Sequence, residues 1–493
     1  MTSNPEQPCG SGFYVTRWAA CVPLLLMVAP AIALSLRGVL STDVVITGGV
    51  VGLMVGSLLA RDKRHYWNAV TRSLGDPTGM LVFALFLIVG IYGKLLAESQ
   101  LAEGLIWLSQ QMHAGPALFA LFTYVACSVL GTAMGTSMGI VVIMTPVLYP
   151  AAVAMGVHPA IAAGAILSGA ATGDHFAPVS DTTIISASTQ RYRYRDGCAD
   201  IGEVVRARLK YAAPAFLISC VLYLVIGGAS AQAPLQASTP IIGNAHPAGL
   251  IMLLPMLLVV IAAIAGRGVF EALTYGTAIG LLLALGCGLI DWHQVAYLQD
   301  RQVKGILTEG ATQNLGTIIM IVLMMGAYGV MRAYGLLDAI VAGLKGSAGA
   351  SARATELTMF GVTWLFNFLL VGLVARITVI AGPIVDELGR ARSLHPTRRA
   401  NILDGVANSF SFVVPWHVWP LLMLMTIAPL QQQYPGLAIP ASTDFLLSTY
   451  YPLLIWGVML LAVISGYGRQ YEHRTDPATK FAASGVPKND SSH

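Results

Sequence analysis

Apolar stretches about as long as a membrane is thick recur along this chain and constrain its fold more than any other feature. Each approaches the ~20 residues that an α-helix needs to cross the hydrocarbon core of a bilayer. They lie at 18–37, 43–60, 78–97, 209–229, 246–265, 268–290, 313–334 and 448–468. Charged residues make up only 11% of the chain, against about 25% in soluble domains. The sequence therefore predicts an all-α polytopic membrane protein.

Two other apolar regions are too long for a single crossing and contain glycine near their centres. They are residues 115–150, centred on Gly131–Gly139, and residues 355–386, centred on Gly372–Thr378. Non-helical backbone at membrane depth must be buried in protein or line a cavity. Both regions therefore predict helical hairpins, either re-entrant or fully crossing.

A further pair of apolar regions carries a proline where a continuous helix would otherwise run. Residues 159–188 contain Pro178, and residues 400–428 contain Pro415. A proline inside a helix removes a backbone hydrogen bond and collides with the preceding turn. We expect a broken transmembrane helix at each proline, with freed backbone carbonyls available to a binding site.

The distribution of Lys and Arg orients this map. With the N-terminus in the cytoplasm, nearly all of the 28 Lys and Arg residues fall in cytoplasmic segments, as the positive-inside rule requires. The exceptions are Arg37, Lys94, Arg301 and Lys304 on the exterior and Arg376 at a hairpin tip. The sequence predicts a multi-pass protein of the plasma membrane, the inner membrane of a bacterial cell, with both termini cytoplasmic.

The two halves of the chain align with each other without a gap. Equivalent residues are Gly135 and Gly372, Pro146 and Pro383, His158-Pro159 and His395-Pro396, and Pro178 and Pro415. Because an odd number of crossings separates equivalent points, the second half enters the membrane from the opposite side. The predicted fold has two inverted-topology repeats, each with a helical hairpin and a broken transmembrane helix. Such repeats place a binding site between the halves, near the midplane.

The predicted segments follow from these spans and repeats. They are a cytoplasmic tail (1–17), the first transmembrane repeat (18–190), a basic cytoplasmic loop with a linking span (191–245), the second inverted repeat (246–428), a final span (429–470) and a disordered cytoplasmic tail (471–493).

The stretch from Gly173 to Thr183 places carboxylates and hydroxyls inside an apolar chain. A charged group at membrane depth is costly and by default marks an ion or proton pathway. Hard cations prefer oxygen ligands, and a carboxylate can release a proton when a cation arrives. The candidate cation and proton site is Asp174, Ser180, Asp181, Thr182 and Thr183, with Thr136 and Ser137 from the hairpin. The structural alternatives are a helix-capping Asp174 and an Asp181–arginine pair. His175 is either a proton sensor or a satisfied wall residue.

The second half supplies a different set of polar residues. The candidate substrate site there is Arg376, Asp404, Asn408, Trp416 and His417. Asp404 aligns with Leu167 rather than with Asp174, so the repeat does not relate the two carboxylates. Arg376 is either a structural counter-ion to one of the carboxylates or a functional residue, which binds the carboxylate of a substrate or replaces a bound cation.

Other classes of function find little support. Residues Gly135–Gly139 fit the G-x-S-x-G motif of hydrolases, which needs a preceding strand, whereas here the flanking segments are apolar and helical. The six cysteines show no metal-ligand spacing, and no basic run is interleaved with aromatic residues. We expect no enzymatic activity, no cofactor and no nucleic-acid partner. The expected partner is the lipid bilayer, and a homodimer is left open.

Three motifs together resemble the NhaC family of Na⁺/H⁺ antiporters. The family pattern GTSxG corresponds to Gly135–Gly139, and GDxxSPxSDTT corresponds to Gly173–Thr183. A second-half pattern, LEDxGTxxSPLxPWN, is similar to Leu403–His417. The resemblance implies a secondary transporter that exchanges Na⁺ for H⁺, with a cation site lined by Asp174 and Ser180–Thr183.

Three positions depart from the family pattern. Ala177 replaces a serine, His417 replaces an asparagine, and Gly405 replaces the second acid of an acidic pair. Together with Arg376, these changes remove oxygen ligands and add cationic character. The alternative function is therefore a proton- or sodium-coupled transporter of amino acids or organic acids with the same fold.

Overall fold

The computed structural model describes most of the chain. The described residues are 12–35, 42–75, 77–111, 115–178, 180–232, 246–264, 269–299, 301–313, 315–336, 339, 351–369 and 374–472. The predicted disorder of the C-terminal tail and the centre of the second hairpin at 370–373 fall outside these ranges.

Helices account for nearly all of the regular structure in the first half. They are α1 (Val22–Ser35), α2 (Thr42–Leu59), α3 (Lys63–Leu74), α4 (Pro77–Glu98), α5 (Leu101–Gln111), α6 (Pro116–Met134), α7 (Ser137–Ala154), α8 (Pro159–Phe176), α9 (Asp181–Thr189) and α10 (Ile201–Ala229). A short 3₁₀ helix, Arg17–Cys21, leads into α1.

The second half is also mainly helical. Its helices are α11 (Leu253–Ile264), α12 (Val269–Gly286), α13 (Trp292–Val295), α14 (Ile306–Thr312), α15 (Leu315–Ala333), α16 (Ala352–Leu369), α17 (Val374–Ala391), α18 (Pro396–Phe410), α19 (Val418–Ile427), α20 (Leu430–Gln433), α21 (Phe445–Ser448) and α22 (Tyr450–Ser465). Two 3₁₀ helices are Pro247–Met252 and Ser442–Asp444. An exposed antiparallel hairpin pairs β1 (Tyr297–Gln299) with β2 (Gln302–Lys304).

The predicted hairpins and broken helices have their helical arms where the sequence places them. The first hairpin consists of α6 and α7, which are separated at Gly135 and Thr136. The two broken spans are α8 with α9 and α18 with α19. The predicted all-helical class is confirmed, whereas the inverted relation of the halves and the segment boundaries stay predictions.

Length and apolar composition identify a few complete membrane spans among the described residues. Ser137–Ala154 and Ile201–Ala229 qualify alone, and the bent pair Ser442–Ser448 and Tyr450–Ser465 qualifies as a third if it is counted as one span. Other apolar helices are shorter, at 10–17 residues each. Interrupted helices are therefore a major component of this fold.

The interrupted helices lie at the centre of the molecule. Every residue of α7 is buried, and so are all residues of α8 except the last. In the second half, α19 is wholly buried and α18 is buried up to Ser409. By contrast, α10 buries only one side, including Arg208 and Tyr223, and exposes apolar residues such as Leu217 and Val225. Most polar side chains of the two breaks, including Asp174, Ser180, Asn408 and His417, are thus buried in protein.

Close glycine contacts position the break in α8 against the first hairpin. A Cβ atom added to Gly173 would lie 2.4 Å from the Cα of Gly131, and one added to Gly169 would lie 2.3 Å from the Cβ of Cys127. Helices α6 and α8 can approach so closely only because these positions lack side chains. At the hairpin tip, Gly135 has φ 64°, a left-handed conformation that glycine adopts without strain. Both features bring the hairpin tip next to Asp174.

A buried network of ion pairs joins α16, α17, α18 and the segment after α22. Arg398 pairs with Glu356 at 2.9 Å, and Arg399 pairs with Asp386 at 2.5 Å and with Glu472 at 3.2 Å. Both arginines were expected in a cytoplasmic loop, but they are 2% and 0% exposed. Their burial is stabilised because each guanidinium faces at least one carboxylate.

Candidate ion site at the broken helices

The break between α8 and α9 follows from its local sequence. Ala177 has φ −74° and ψ 122°, the extended conformation that a following proline favours. Helix α9 then begins at Asp181, with Ser180 at the N-cap position. The Ser180 side chain does not cap the helix, since its hydroxyl donates a hydrogen bond to Asp174 instead. Because of the break, Ser180 donates its side-chain hydrogen bond to the buried carboxylate instead of capping the helix.

Asp174 is the buried carboxylate at the break between α8 and α9. Only 5% of the residue is exposed, and one of its oxygens accepts the hydrogen bond from Ser180. The Ser180 hydroxyl also lies 3.0 Å from the Thr182 hydroxyl. From the hairpin tip, Ser137 faces Asp174, and its buried hydroxyl has no hydrogen-bond partner among the described residues. Four oxygen-bearing side chains from α7, α8 and the start of α9 thus gather around one point.

Hydrogen bonds connect this cluster to the second half. The Asn408 amide nitrogen lies 3.0 Å from the Thr182 hydroxyl and 2.9 Å from Asp404 Oδ1, and donates to both. Asn408 departs from helical geometry, with φ −83° and ψ 20°, so α18 bends where its side chain meets α9. Its amide oxygen is buried and has no hydrogen-bond partner among the described residues. A continuous polar path therefore runs from Asp174 to Asp404.

Asp404 is fully buried and has a buried counter-ion. Arg208 Nη2 lies 2.5 Å from Asp404 Oδ2, and the two side chains are 3% and 0% exposed. Arg208 also donates to the Thr183 hydroxyl at 2.8 Å, to the His175 carbonyl at 2.9 Å and to Asn401 at 3.1 Å. Multiple hydrogen bonds of this kind fix a buried guanidinium in one position.

His175 is a satisfied wall residue. Its Nε2 lies 3.3 Å from the Asp404 carbonyl oxygen, and its Nδ1 lies 2.9 Å from the Tyr451 hydroxyl. A carbonyl oxygen can only accept, so Nε2 carries the proton and Nδ1 accepts from the tyrosine in the neutral imidazole. Of the two readings of His175 that the sequence left open, this geometry favours the structural one.

The remaining predicted site residues lie at the hairpin tip, at the start of α9, in α17 and in the break before α19. Asp181 is exposed at the start of α9, and Thr136 is half-buried at the hairpin tip. Arg376 stands in the first turn of α17 with its guanidinium 5.2 Å from the centre of the Tyr328 ring, a cation–π distance. Trp416 is half-buried.

His417 is fully buried in the break before α19. Both of its ring nitrogens lack a hydrogen-bond partner among the described residues. Like Ser180 in the first half, it holds an N-cap position without a side-chain capping bond. Two unsatisfied nitrogens in one buried ring are unusual in native proteins, so His417 stays a candidate for the substrate site.

Arg208 is the main site residue that the sequence analysis missed. The sequence placed it in the cytoplasmic loop before a span at 209–229, whereas α10 begins at Ile201 and carries Arg208 inside it. Its neighbours Arg206 and Lys210 are of the same charge, so composition could not single it out. The only sequence signal is spacing, since Arg208 follows Val204 by four residues and precedes Tyr211 by three, all buried positions.

Charged and polar side chains are buried where the interrupted helices of this protein meet. This arrangement is typical of multi-pass α-helical secondary transporters. Among the described residues no cluster of three or more His, Cys, Asp or Glu side chains forms a resident metal site. The chain belongs to the Na⁺/H⁺ antiporter family, whose model matches residues 13–227 and 230–435.

Characterised relatives span more than one transported substrate. The chain is 26% identical over 334 residues to the Na⁺/H⁺ antiporter NhaC of Alkalihalophilus pseudofirmus, covering 64% of this chain and 70% of that protein. It is 24% identical to the malate-2H⁺/Na⁺-lactate antiporter of Bacillus subtilis, covering 74% and 79%. It is 23% identical to the arginine/ornithine antiporter ArcD of Halobacterium salinarum, covering 86% and 87%.

A solved structure of the YdaH transporter of Alcanivorax borkumensis shows a slight likeness. Its TM-score is 0.39 at 14% identity, over 83% of this chain and 90% of that one. The family assignment therefore depends on the sequence match alone.

Proposed function

We propose that this protein is a secondary active transporter that exchanges Na⁺ for H⁺, with Asp174 as the carboxylate that binds each in turn. The observation that carries the proposal is the cluster of oxygens around Asp174 at the break between α8 and α9. The Ser180 hydroxyl contacts the carboxylate directly, with Thr182 beside it. Hard monovalent cations are bound by carboxylate, hydroxyl and amide oxygens of this kind.

Two buried oxygens near Asp174 further support a cation site. The Ser137 hydroxyl and the Asn408 amide oxygen both lack hydrogen-bond partners among the described residues. Leaving a buried acceptor unsatisfied costs about 1–3 kcal/mol. A cation bound beside Asp174 would supply a partner for the Ser137 hydroxyl, which faces this carboxylate, and this favours an occupied site over an empty one.

The exchange itself needs only competition at one carboxylate. When Na⁺ enters, it replaces the proton of the neutral Asp174 side chain, and the proton leaves to water on the same side. When the site opens to the other side, protonation of Asp174 expels Na⁺. Each state keeps the buried carboxylate compensated, because an uncompensated charge at this depth is costly.

Everted membrane vesicles test this function. Respiration acidifies their interior, and an antiporter dissipates the pH gradient when Na⁺ is added, which a fluorescent weak base reports as dequenching. We expect dequenching with the native protein and less than a tenth of it with Asp174→Asn. Asp196→Asn, at an exposed loop position, is the matched control and should behave like the native protein. Absence of dequenching with Na⁺, K⁺ or Li⁺ between pH 6.5 and 9 would refute the proposal.

A second candidate function is the coupled transport of small carboxylates or amino acids. It is favoured by Arg376, a guanidinium on α17 held against Tyr328, and by the malate, lactate and arginine/ornithine names among the relatives. Uptake of labelled malate, lactate or arginine into proteoliposomes tests it. Arg376→Ala should abolish uptake of an anionic substrate, and Arg376→Lys should reduce it only modestly because it keeps the positive charge. Equal uptake in Arg376→Ala would exclude Arg376 as the anchor.

A further inference from the structure

We propose that a basic cavity between α3 and the end of α15 binds the phosphate group of an anionic phospholipid. The cavity has a volume of about 860 Å³, and its lining includes His65, Arg72, Tyr328 and Arg332. The sequence predicts that α3 and this end of α15 face the cytoplasm, so the lipid belongs to the inner leaflet. This inference does not depend on which ion or solute the protein transports.

Helix α3 has the composition of a helix that lies along a membrane surface. Its 12 residues are too few to cross a bilayer, and it buries one side that includes Tyr66 and Val70. Its other side is exposed and begins with the basic residues Lys63 and Arg64, and Trp67 is exposed as well. Basic residues combined with tryptophan on an amphipathic helix are typical of the interface between headgroups and acyl chains.

Close packing of α3 on α15 forms the cavity. A Cβ atom added to Gly329 would lie 2.4 Å from the Cβ of Ser73, so the helices approach only because this position lacks a side chain. The Ser73 hydroxyl donates a hydrogen bond to the Met325 carbonyl oxygen at 2.7 Å. Arg72 is next to Ser73 in α3, and Arg332 follows three residues after the glycine in α15. The contact therefore brings two arginines from distant parts of the chain to one cavity.

The positive charge of the cavity is not balanced by the described residues. None of those that line it is acidic, and neither Arg72 nor Arg332 forms an ion pair with a described carboxylate. Asp62, which precedes α3, is engaged as its N-cap and accepts a hydrogen bond from the His65 backbone nitrogen at 2.9 Å. The forked donors of a guanidinium match the oxygens of a phosphate group, so an anion of this kind would complete the site.

The surroundings of the cavity favour a lipid over a free phosphate ion. Helix α2, which leads into α3, exposes Met54 and Leu58 near its end, and α3 exposes Trp67. The two α2 side chains belong to the predicted span 43–60, where the acyl chains of a bound lipid would pack. Basic pockets between membrane helices on the cytoplasmic side are typical sites for the headgroups of anionic lipids.

The thermal stability of the purified protein in dodecyl maltoside tests this site. The Tm is measured as phosphatidylglycerol, phosphatidylcholine or inorganic phosphate (as its Tris salt) is added at equal phosphate concentrations. A ligand that binds only the folded state raises the Tm, so we expect a rise with phosphatidylglycerol and little change with the other two. In the double variant with Arg72→Gln and Arg332→Gln, half of this rise should need about ten times more phosphatidylglycerol, because charge-assisted hydrogen bonds are lost.

Two further variants make the result specific. Arg206→Gln with Arg353→Gln removes the same charge from exposed positions outside the cavity, and this control should respond like the native protein. Arg72→Lys with Arg332→Lys keeps the charge and loses the forks, so we expect an intermediate response. No rise with phosphatidylglycerol, or an equal rise in the native protein and in the double glutamine variant of the cavity, would overturn the site. A rise with inorganic phosphate as large as that with phosphatidylglycerol would overturn its assignment to a lipid.

Discussion

At the residue scale, the two carboxylates at the ends of the polar path, Asp174 and Asp404, differ in what surrounds them. Asp404 faces the guanidinium of Arg208 and the amide of Asn408, whereas Asp174 faces hydroxyls. A carboxylate with a fixed counter-ion contributes structure, and one that is hydrogen-bonded only to hydroxyls is free to exchange its partner. The same residue type therefore has two roles in one polar path.

This difference predicts opposite effects of two equivalent substitutions on stability. Asp404→Asn leaves Arg208 buried without a carboxylate, which costs about 3–5 kcal/mol, so we expect a clear drop in the Tm of the purified protein in detergent. Asp174→Asn removes a charge that has no resident counter-ion, and its Tm should stay near that of the native protein or rise. Equal losses of Tm in the two variants would show that Asp404 and Asp174 do not differ in this way.

At the scale of elements, much of the architecture could be predicted from the sequence. Pro178 and the turn at Gly135 predicted the break and the hairpin correctly, because proline and glycine act through local backbone geometry. The start of α10 was placed too late, since Arg206 and Arg208 read as loop residues. The burial of Arg208 depends on partners that are far away in the chain, Asp404 among them, and a single sequence does not reveal such pairings.

The contact between α6 and α8 gives a prediction at this scale. Gly173→Ala would place a methyl group 2.4 Å from the Cα of Gly131, so the helices must separate and Asp174 must move away from the hairpin tip. We expect Na⁺-dependent dequenching to fall at least tenfold. Gly361→Ala in α16 meets nothing within 4 Å and is the control, with activity near native. Full activity in Gly173→Ala would show that the close approach is not needed.

At the scale of the whole molecule, charge clusters and polar breaks occupy different places. Arg398 and Arg399, at the start of α18, join α16, α17 and the segment after α22 through Glu356, Asp386 and Glu472. The polar path from Asp174 to Asp404 lies along the interior of the interrupted helices. The sequence predicts that this charged end faces the cytoplasm, and the repeat symmetry that it also predicts awaits a direct test.

Labelling of two native cysteines can test the predicted orientation in the membrane. Cys198 and Cys287 are both exposed, and the predicted topology places Cys198 in the cytoplasm and Cys287 at the exterior end of the span 268–290. A membrane-impermeant maleimide added to intact cells should label Cys287, and it should label Cys198 only after the cells are opened. Cys287→Ser and Cys198→Ser identify the labelled position in each case. Labelling of Cys198 in intact cells would reverse the predicted orientation.

Proton release on sodium binding is the most direct test of Asp174 as the exchanging carboxylate. Purified protein in detergent is held in a weakly buffered solution, and the pH is followed as NaCl is added, with choline chloride as the salt control. We predict release of about one proton for each Na⁺ bound to the native protein, and no release from Asp174→Asn. Sodium binding without proton release, or equal release from Asp174→Asn, would contradict the account.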